Sequence, residues 1–426
     1  MVKKLNKIIY ICLLISFSLS SELPIGFTLE ELENKEMIYD MGSRTTPPSQ
    51  PVRSIAEYEP MQGVLIRYPF GISTSLVAAM AEDVIVYCLV SSTSQNSANN
   101  SMIIGGVNMD NVEFIIGSTD SYWTRDYGPW WILDGNGDIG VVDFTYNRPR
   151  PNDNNAPLKV SNHLDVPYYS ADFISTGGNY MTDGFGISAS THIAYTEQPE
   201  CNTNDQNSVP LSSCSYVDDI LLDYYGINTY HVVADPNNEY IDHIDCWGKF
   251  LSPSKLLLRS VPSNHSQYND IEEVAEYFSS ILTSEGTPWE IYRVYTPNDQ
   301  PYTNSLILNN KVFVPVMNSS WDDEALEIYE SALPNYEILP FTGSWQSTDA
   351  LHCRVKGIPD LSFMQYNSGD VNMDDTINVL DIVSTVNYVL GLEVLSNNQI
   401  SIADMNDDSV VNILDIIQIV NIILGR

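Results

Sequence analysis

Three short segments, far apart in the chain, carry side chains suited to chemistry on a guanidinium group. They are Trp123–Pro129, His243–Asp245 and His352–Cys353. A planar, cationic guanidinium needs carboxylates to hold it. A cysteine thiolate can attack its central carbon, and a histidine can pass a proton to the departing ammonia. Two acids, a histidine and a cysteine together therefore predict hydrolysis of an arginine-type guanidinium.

Asp126 lies in the first segment, among aromatic residues and just before a Gly-Pro pair. A carboxylate framed by Trp123, Tyr127 and Trp130 is expected to occupy a pocket of low dielectric. Charge-assisted hydrogen bonds to a guanidinium are strong in such a pocket. Taken alone, this segment is more often structural than catalytic, and Arg125 could be a structural salt-bridge partner.

His243 and Asp245 are two positions apart. On a strand, residues i and i+2 face the same side, so both side chains could reach one substrate. Asp245 would hold a guanidinium nitrogen, and His243 would lie beside the leaving nitrogen. Cys246 would then face the opposite side as a packing residue. Without the other motifs, a surface His–Asp pair is the simpler interpretation of this segment.

Cys353 is preceded by His352 and followed by Arg354. Nearby positive charge would favour its thiolate form. Adjacent residues on a strand point in opposite directions, so we assign the acid/base role to His243 and not to His352. A buried, inert cysteine is the usual alternative for a lone cysteine.

The remaining chain must supply the elements that position these side chains. Residues 21–51 are polar and proline-containing, which predicts a linker or an extended arm. From residue 52 to 366, short apolar runs alternate with helical patterns at varying intervals, which predicts a mixed α/β domain. The clearest predicted strands and helices are Val64–Tyr68, Val84–Val90, Val112–Ile116, Gly140–Thr145, Leu256–Arg259 and Val312–Val316, and Ile271–Leu282 and Asp322–Leu333.

Residues 369–426 form a different unit, in which one acidic loop is repeated. Oxygen-bearing side chains recur at positions 1, 3, 5, 9 and 12 of each loop, with a backbone carbonyl expected at position 7. The predicted calcium ligands are Asp370, Asn372, Asp374, Thr376, Asn378 and Asp381 in the first loop, and Asp404, Asn406, Asp408, Val410, Asn412 and Asp415 in the second.

Both loops depart from a standard EF-hand, since position 6 lacks glycine and position 12 is Asp instead of Glu. The pattern resembles a type I dockerin, which implies two structural calcium ions and a cohesin partner. Positions 10 and 11 help to choose the partner in that family. They are apolar in both loops, Val379–Leu380 and Ile413–Leu414, which suggests a hydrophobic docking face or, equally, core residues.

Four motifs occur in order along the larger domain: Trp123–Pro129, Thr176–Asn179, His243–Asp245 and Leu351–Arg354. Together they closely resemble the bacterial Porphyromonas-type peptidylarginine deiminases, which are relatives of the agmatine deiminases in the guanidino-modifying superfamily. The resemblance covers residues 52–366. It implies an α/β fold, a five-bladed pseudo-symmetric α/β propeller with the site at its centre, followed by a small all-α calcium-binding domain.

The resemblance also assigns roles to residues at matching positions. Cys353 is implied to be the nucleophile and His243 the general acid/base, while Asp126 and Asp245 bind the guanidinium. The other matched residues are Asn304 near the nucleophile, the pocket-lining Trp123, Tyr240 and Ile241, and the pair Arg148 and Arg150, which holds the substrate's terminal carboxylate.

The composition sets limits on partners and location. The 426-residue chain is 43% hydrophobic and carries a formal net charge of −36, which would repel nucleic acid but suits calcium and cationic substrates. A basic segment before the apolar run Ile8–Leu19 predicts a secretory signal peptide over residues 1–20, and no later segment is apolar enough to span a membrane. Export would permit a disulfide between Cys201 and Cys214, leaving Cys353 as the expected free thiol.

These features together predict a secreted peptidylarginine deiminase, docked to a cohesin, that acts on C-terminal arginine and needs no cofactor for catalysis. Agmatine deiminase is the closest alternative, although Arg148 and Arg150 would repel the amine of agmatine. A non-catalytic scaffold, in which the dockerin-like unit is the only working part, is an alternative from another class. The presence of Cys353, His243 and both acids argues against it.

Overall fold

The structure is a computed structural model that describes residues 22–362, 368–372, 376–395, 397–406, 408 and 410–425. The predicted signal peptide and the predicted calcium ligand Asp374 lie outside the described residues. No helix within the described ranges is both long enough and apolar enough to cross a membrane.

The larger domain contains seventeen strands and eleven α-helices among the described residues. The strands are β1 (Arg53–Ser54), β2 (Met61–Arg67), β3 (Ile85–Val90), β4 (Val112–Ile116), β5 (Trp130–Leu133), β6 (Ile139–Tyr146), β7 (Tyr168–Ser175), β8 (Met181–Thr182), β9 (Ile187–Thr191), β10 (Thr229–Val233), β11 (Gly248–Phe250), β12 (Lys255–Ser260), β13 (Glu290–Tyr295), β14 (Leu306–Leu308), β15 (Lys311–Val316), β16 (Glu337–Thr342) and β17 (Lys356–Pro359). The helices are α1 (Leu29–Glu33), α2 (Met37–Met41), α3 (Thr74–Met80), α4 (Gln95–Ile104), α5 (Thr124–Tyr127), α6 (Pro151–Asn154), α7 (Ala156–Leu164), α8 (Ile193–Thr196), α9 (Ser215–Tyr225), α10 (Tyr268–Ser280) and α11 (Asp322–Ala332).

The strands form five separate sheets, and each sheet contains the same unit. Two antiparallel strands are followed by a helix and then by a strand parallel to the second one. For example, β11 and β12 pair antiparallel, α10 follows, and β13 returns parallel to β12. The sequence shows no repeat at fixed spacing, because the connections between these units differ in length.

One unit is assembled from the two ends of the domain. The late strand β17 pairs antiparallel with the early strand β2, and β2 then pairs parallel with β3. This pairing joins the two ends of the domain within one sheet. No sheet in the described part of the chain closes on itself, so the propeller implied by the resemblance is confirmed only as five sheets of an α/β fold.

All six predicted strands and both predicted helices are confirmed, with bounds that differ by a few residues. Most of the strands were recognisable because their residues are buried on both faces of a sheet; β6, for instance, is buried along its whole length, whereas β4 is buried only at Ile115. The disulfide between Cys201 and Cys214 is formed. Cys88, Cys246 and Cys353 are free and buried.

The described residues of the C-terminal unit form three helices, α12 (Val379–Val389), α13 (Asn397–Ala403) and α14 (Ile413–Ile423). The first and last of these begin in the same way, each with an asparagine N-cap and an aspartate that completes a capping box. A small core includes Val371, Leu395 and Ile419. The four apolar residues at the predicted docking positions are each more than half exposed, so they are not core residues.

Candidate active site

The motif residues lie in the connections that lead from one sheet to the next. Each of the five connections supplies one segment of the site. Asp126 lies between β4 and β5, Gly178 and Asn179 between β7 and β8, His243 and Asp245 between β10 and β11, Asn304 between β13 and β14, and Cys353 between β16 and β17. The fold therefore brings together residues that the sequence separates by more than two hundred positions.

Asp126 and His243 form a buried pair. Asp126 Oδ1 lies 3.6 Å from His243 Nδ1, and both side chains are 1% exposed. Gly178 lies directly behind them, since a Cβ at this position would come within 2.6 Å of both Asp126 Oδ1 and His243 Nδ1. Neighbouring Asn179 accepts the backbone N–H of Ile244 at 3.2 Å and so fixes the segment that carries His243. The glycine motif is thus part of the site's geometry.

Both atoms of the Asp126 carboxylate are buried and have no hydrogen-bond partner, and the same is true of both ring nitrogens of His243. A buried polar group without a partner is costly, and native structures rarely contain several of them side by side. The arrangement leaves acceptor and donor capacity free for a polar, cationic group placed between these residues.

Cys353 is fully buried and lies in a short 3-10 helix, His352–Arg354. The side-chain amide of Asn304 lies 3.3 Å from Cys353 Sγ, placed to donate to the sulfur. The Asn304 carbonyl oxygen accepts the backbone N–H of His352 at 2.9 Å. Asn304 therefore contacts both Cys353 and the turn that carries it, and the roles of both residues stay predictions.

Asp245 is held from behind by His352, a contact that sequence reasoning missed. His352 Nδ1 lies 2.7 Å from Asp245 Oδ2, and its Nε2 lies 2.6 Å from Glu57 Oε2. Asp245 Oδ2 is also 3.9 Å from Cys353 Sγ. The expectation that His243 and Asp245 share a strand is wrong, because Ile244–Cys246 is a 3-10 helix with His243 as its N-cap.

The expectation that His352 points away from the site, as the neighbour of Cys353 on a strand, is also wrong. His352 and Cys353 lie on a 3-10 turn, where successive residues are not on opposite faces. His352 contacts Asp245 from outside the pair formed by Asp126 and His243, so it is a positioning residue for that carboxylate. The acid/base assignment to His243 stays a prediction.

Glu57 anchors a buried ionic network that the sequence did not reveal. Besides His352, it pairs with Arg125 at 2.7 Å and with Lys249 at 2.7 Å. The prediction that Arg125 is a structural salt-bridge partner is therefore confirmed. Nothing in the local sequence around Glu57 signals this role, because all its partners come from distant segments.

Replacing Glu57 with Gln is expected to lower the free energy of unfolding by about 3–5 kcal/mol, because Arg125 and Lys249 would remain buried without a countercharge. Chemical denaturation with a spectroscopic readout measures this change. The matched control is Glu272→Gln, which removes the partly exposed ion pair with Arg293 and should cost about 1 kcal/mol or less. Equal effects of the two substitutions would contradict the structural role of Glu57.

The electrostatics of the site favour neutral side chains in the absence of substrate. Burial raises the pKa of Asp126 well above its ordinary value, and the Asp245 carboxylate adds to this shift. Burial lowers the pKa of His243 to about 4. Burial, followed by Asp245 and Asp126, also raises the pKa of the Cys353 thiol well above its ordinary value. A bound cation would reverse these effects on Asp126 and the thiol.

The expected thiolate-favouring effect of positive charge next to Cys353 is not found. Arg354 pairs with Asp349 through two contacts, at 2.8 Å and 2.7 Å, and its charge is taken up there. It also lies over the rings of Tyr122, Trp123 and Trp345. The sequence neighbour of the nucleophile is thus a structural residue.

Binding of a guanidinium compound is expected to release a proton from Asp126. Because its pKa is raised, Asp126 holds a proton until a cation stabilises the carboxylate, and affinity should fall as the pH falls through that raised pKa. Calorimetry in buffers of different ionisation enthalpy counts the protons released. The Cys353→Ala background removes the thiol as a proton source, and adding Asp126→Asn should abolish the release. Release that persists in the double variant would contradict this assignment.

The predicted substrate-binding residues differ in how deeply they are buried and in what they contact. Trp123 and Ile241 are buried in the same apolar cluster as Cys353. Tyr240 is 66% exposed and lies at the rim. Arg148 and Arg150 are buried, and both contact the N-terminal segment, residues 22–31.

The predicted calcium ligands in the described residues lie in two loops with matching backbone contacts. Asp381 accepts the backbone N–H of Asn378 at 2.8 Å, and Asp415 accepts that of Asn412 at 2.8 Å. Asp408 accepts the N–H of Val410 at 2.9 Å. Over the described ranges, no group of three or more His, Cys, Asp or Glu side chains is placed to hold a metal ion.

Comparison with known proteins agrees with this geometry. Residues 54–359 match the family model for Porphyromonas-type peptidyl-arginine deiminase. The chain belongs to this deiminase family. Residues 368–424 match the model for the dockerin type I domain. The chain is thus a hydrolase of the peptidyl-arginine and agmatine deiminase family, whose members act on guanidino C–N bonds, with a dockerin unit attached.

Proteins similar to this chain include several agmatine deiminases. The agmatine deiminase of Medicago truncatula is 24% identical over 341 residues, covering 67% of this chain and 87% of its own. The agmatine deiminase structure of Enterococcus faecalis is 18% identical with a TM-score of 0.64, covering 75% and 99%. That of C. jejuni is 19% identical with a TM-score of 0.60, covering 72% and 96%. At these identities the structures support the fold alone.

Proposed function

We propose that this chain is a secreted peptidylarginine deiminase that converts C-terminal arginine to citrulline and ammonia. The observation that carries the proposal is the set of unpartnered polar atoms on Asp126 and His243, enclosed with Cys353. A guanidinium carries its N–H donors in its own plane, along its edges, and a carboxylate with two free oxygens can accept two of them along one edge. Asp245, with one oxygen held by His352, is available to accept along another edge.

The proposed reaction forms and breaks one bond in each half. His243 takes the proton of the Cys353 thiol as the bound cation stabilises the thiolate, and the S–C bond forms at the central guanidinium carbon. His243 donates a proton to one nitrogen, the C–N bond breaks, and ammonia leaves. Water, deprotonated by His243, then attacks the thiouronium carbon and releases citrulline and the thiol. Asn304 stabilises the sulfur anion through its amide.

The choice between peptide arginine and agmatine depends on what faces the far end of the substrate. Arg148 acts on both Asp126 and His243 through its charge, which places a cation next to the reacting pair. A carboxylate would be attracted there and an amine repelled. Agmatine remains the second candidate, since the named relatives are agmatine deiminases.

We further propose that the five sheets are the blades of a propeller around this site. Support comes from the connections between sheets, each of which supplies a site segment, and from the joining of β17 to β2. The dockerin unit supports export and docking to a cohesin through its exposed apolar positions, Val379, Leu380, Ile413 and Leu414.

Two calcium ions fit the chemistry of the dockerin loops, which offer the hard oxygen donors that calcium prefers. Asp381 and Asp415, the last residues of the two loops, are buried and already close each loop through its backbone. The remaining predicted ligands would add side-chain oxygens from the same loops. Calcium would supply structural stability to this unit and no step of the reaction.

Formation of ammonia and of the ureido product, citrulline from arginine substrates and the carbamoylated amine from agmatine, by the purified mature protein tests the function. The substrates are a peptide ending in arginine, the same peptide with internal arginine, free arginine and agmatine, each with and without EDTA. Activity mainly on the C-terminal arginine and unaffected by EDTA is the expected result. Activity on agmatine alone would move the assignment to the small-molecule branch, and no activity on any substrate would support the scaffold alternative.

A further inference from the structure

The N-terminal segment, residues 22–31, occupies the arginine pair that a substrate carboxylate would need. Arg150 Nε contacts Glu31 Oε1 at 2.6 Å, and its second terminal nitrogen lies 3.2 Å from Glu31 Oε2. That nitrogen also donates to the carbonyl oxygens of Pro24 at 2.7 Å and Gly26 at 2.9 Å. The Glu31 carboxylate thus binds Arg150 in the bidentate manner expected of a substrate carboxylate.

Arg148 is engaged by the same segment. Its Nε donates to the carbonyl oxygen of Ile25 at 3.0 Å, and its guanidinium lies 4.4 Å from the centre of the Phe27 ring. Arg148 also acts electrostatically on Asp126 and His243, so the segment holds a cation whose charge the reacting pair senses.

The segment also covers the nucleophile. Ile25 is 2% exposed and belongs to the apolar cluster that contains Trp123, Ile241 and Cys353. Trp123 Nε1 donates to the carbonyl oxygen of Leu23 at 3.0 Å. Residues that would contact a bound peptide therefore contact residues 22–31 instead, and Cys353 has no exposed surface.

Gly26 allows the N-terminal segment to pack closely against the ring of Tyr240. A Cβ at Gly26 would lie 2.5 Å from Cε2 of Tyr240, well inside contact distance. Since Tyr240 is largely exposed, its ring covers the segment from outside. A side chain at position 26 would separate the segment from the rim, unless Tyr240 moved.

We infer that residues 22–31 are a specificity-determining element, in which Glu31 competes with the substrate carboxylate for Arg150 while Ile25 and Phe27 of the same segment engage Arg148. This inference rests on the proposed function. A peptide with a C-terminal arginine must displace Glu31, so its apparent affinity is reduced by the fraction of molecules in which the pair is free. A substrate without a C-terminal carboxylate would gain no contact with Arg148 or Arg150 by displacing Glu31.

Glu31→Gln tests the competition, because it removes the charge while glutamine can keep the capping contact with Thr28. We expect kcat/KM for the peptide ending in arginine to rise about tenfold, and kcat/KM for the internal-arginine peptide to change by less than about twofold. The control is Glu30→Gln, an exposed glutamate on the same helix, which should change neither. A fall in kcat/KM with every substrate would show that the segment is a wall of the pocket and would overturn the inference.

A second variant and a second readout keep the inference separate from the substrate assignment. Gly26→Ala should loosen the segment by a different route, and both variants should label faster at Cys353 with 2-chloroacetamidine, followed by mass spectrometry. Faster labelling without citrulline from any substrate would support the covering role and refute the proposed function. Citrulline formation with unchanged labelling and unchanged kcat/KM in both variants would refute the inference alone.

Discussion

Replacement of Cys353 with alanine is expected to reduce kcat by about 10⁵-fold or more, because no other group in the site can form the covalent bond to the guanidinium carbon. Asn304, Asp126 and His243 do not depend on the sulfur for their positions, so substrate binding should persist. Citrulline assays measure the loss, and calorimetry measures the binding.

Cys88→Ala is the matched control for this substitution. Cys88 is also a free, buried cysteine, but it lies within β3 in the main core of the domain. Its loss should lower the stability moderately and leave turnover by the folded enzyme unchanged. Residual activity of Cys353→Ala above about one per cent would contradict the nucleophilic role.

Replacement of Asp126 with asparagine is expected to lower kcat/KM by about 10²- to 10⁴-fold, which corresponds to about 3–5 kcal/mol for the loss of a buried charge partner. The same substitution should leave the free energy of unfolding unchanged or raise it. Both carboxylate oxygens are buried without a hydrogen-bond partner, so the neutral amide loses no contact in the free enzyme.

Asp153→Asn is the matched control, because it is expected to lower the stability and to leave the activity unchanged. Asp153 is equally buried, but its carboxylate accepts the backbone N–H groups of Asp120 and Ser121 and the Ser121 hydroxyl. An amide in its place can keep the two backbone contacts through its oxygen, but it loses their charge assistance and reverses the bond with the Ser121 hydroxyl, so the stability should fall while the folded fraction stays active. Thermal unfolding together with kcat/KM of both variants separates the two roles. If Asp126→Asn were the less stable variant and retained activity, Asp126 would be structural.

The candidate site residues could be named from sequence because they stand in motifs with unusual chemistry, and their roles stay predictions. Their geometry could not be predicted. His243 and Asp245 were expected to share a strand, yet they lie in a 3-10 turn whose shape depends on Asn179, more than sixty positions earlier. Glu57 was missed because its partners Arg125, Lys249 and His352 become neighbours only in the folded chain.

The sequence by itself determined the chemistry, the order of the elements and the two loops of the C-terminal unit, because residue types and local periodicity are written along the chain. The tertiary structure alone decided what each charged group faces. It directs Arg354 to Asp349, joins His352 to Asp245 and Glu57, and places Glu31 on Arg150. Such pairings depend on contacts between distant segments, and burial then sets their strength and the pKa of each group.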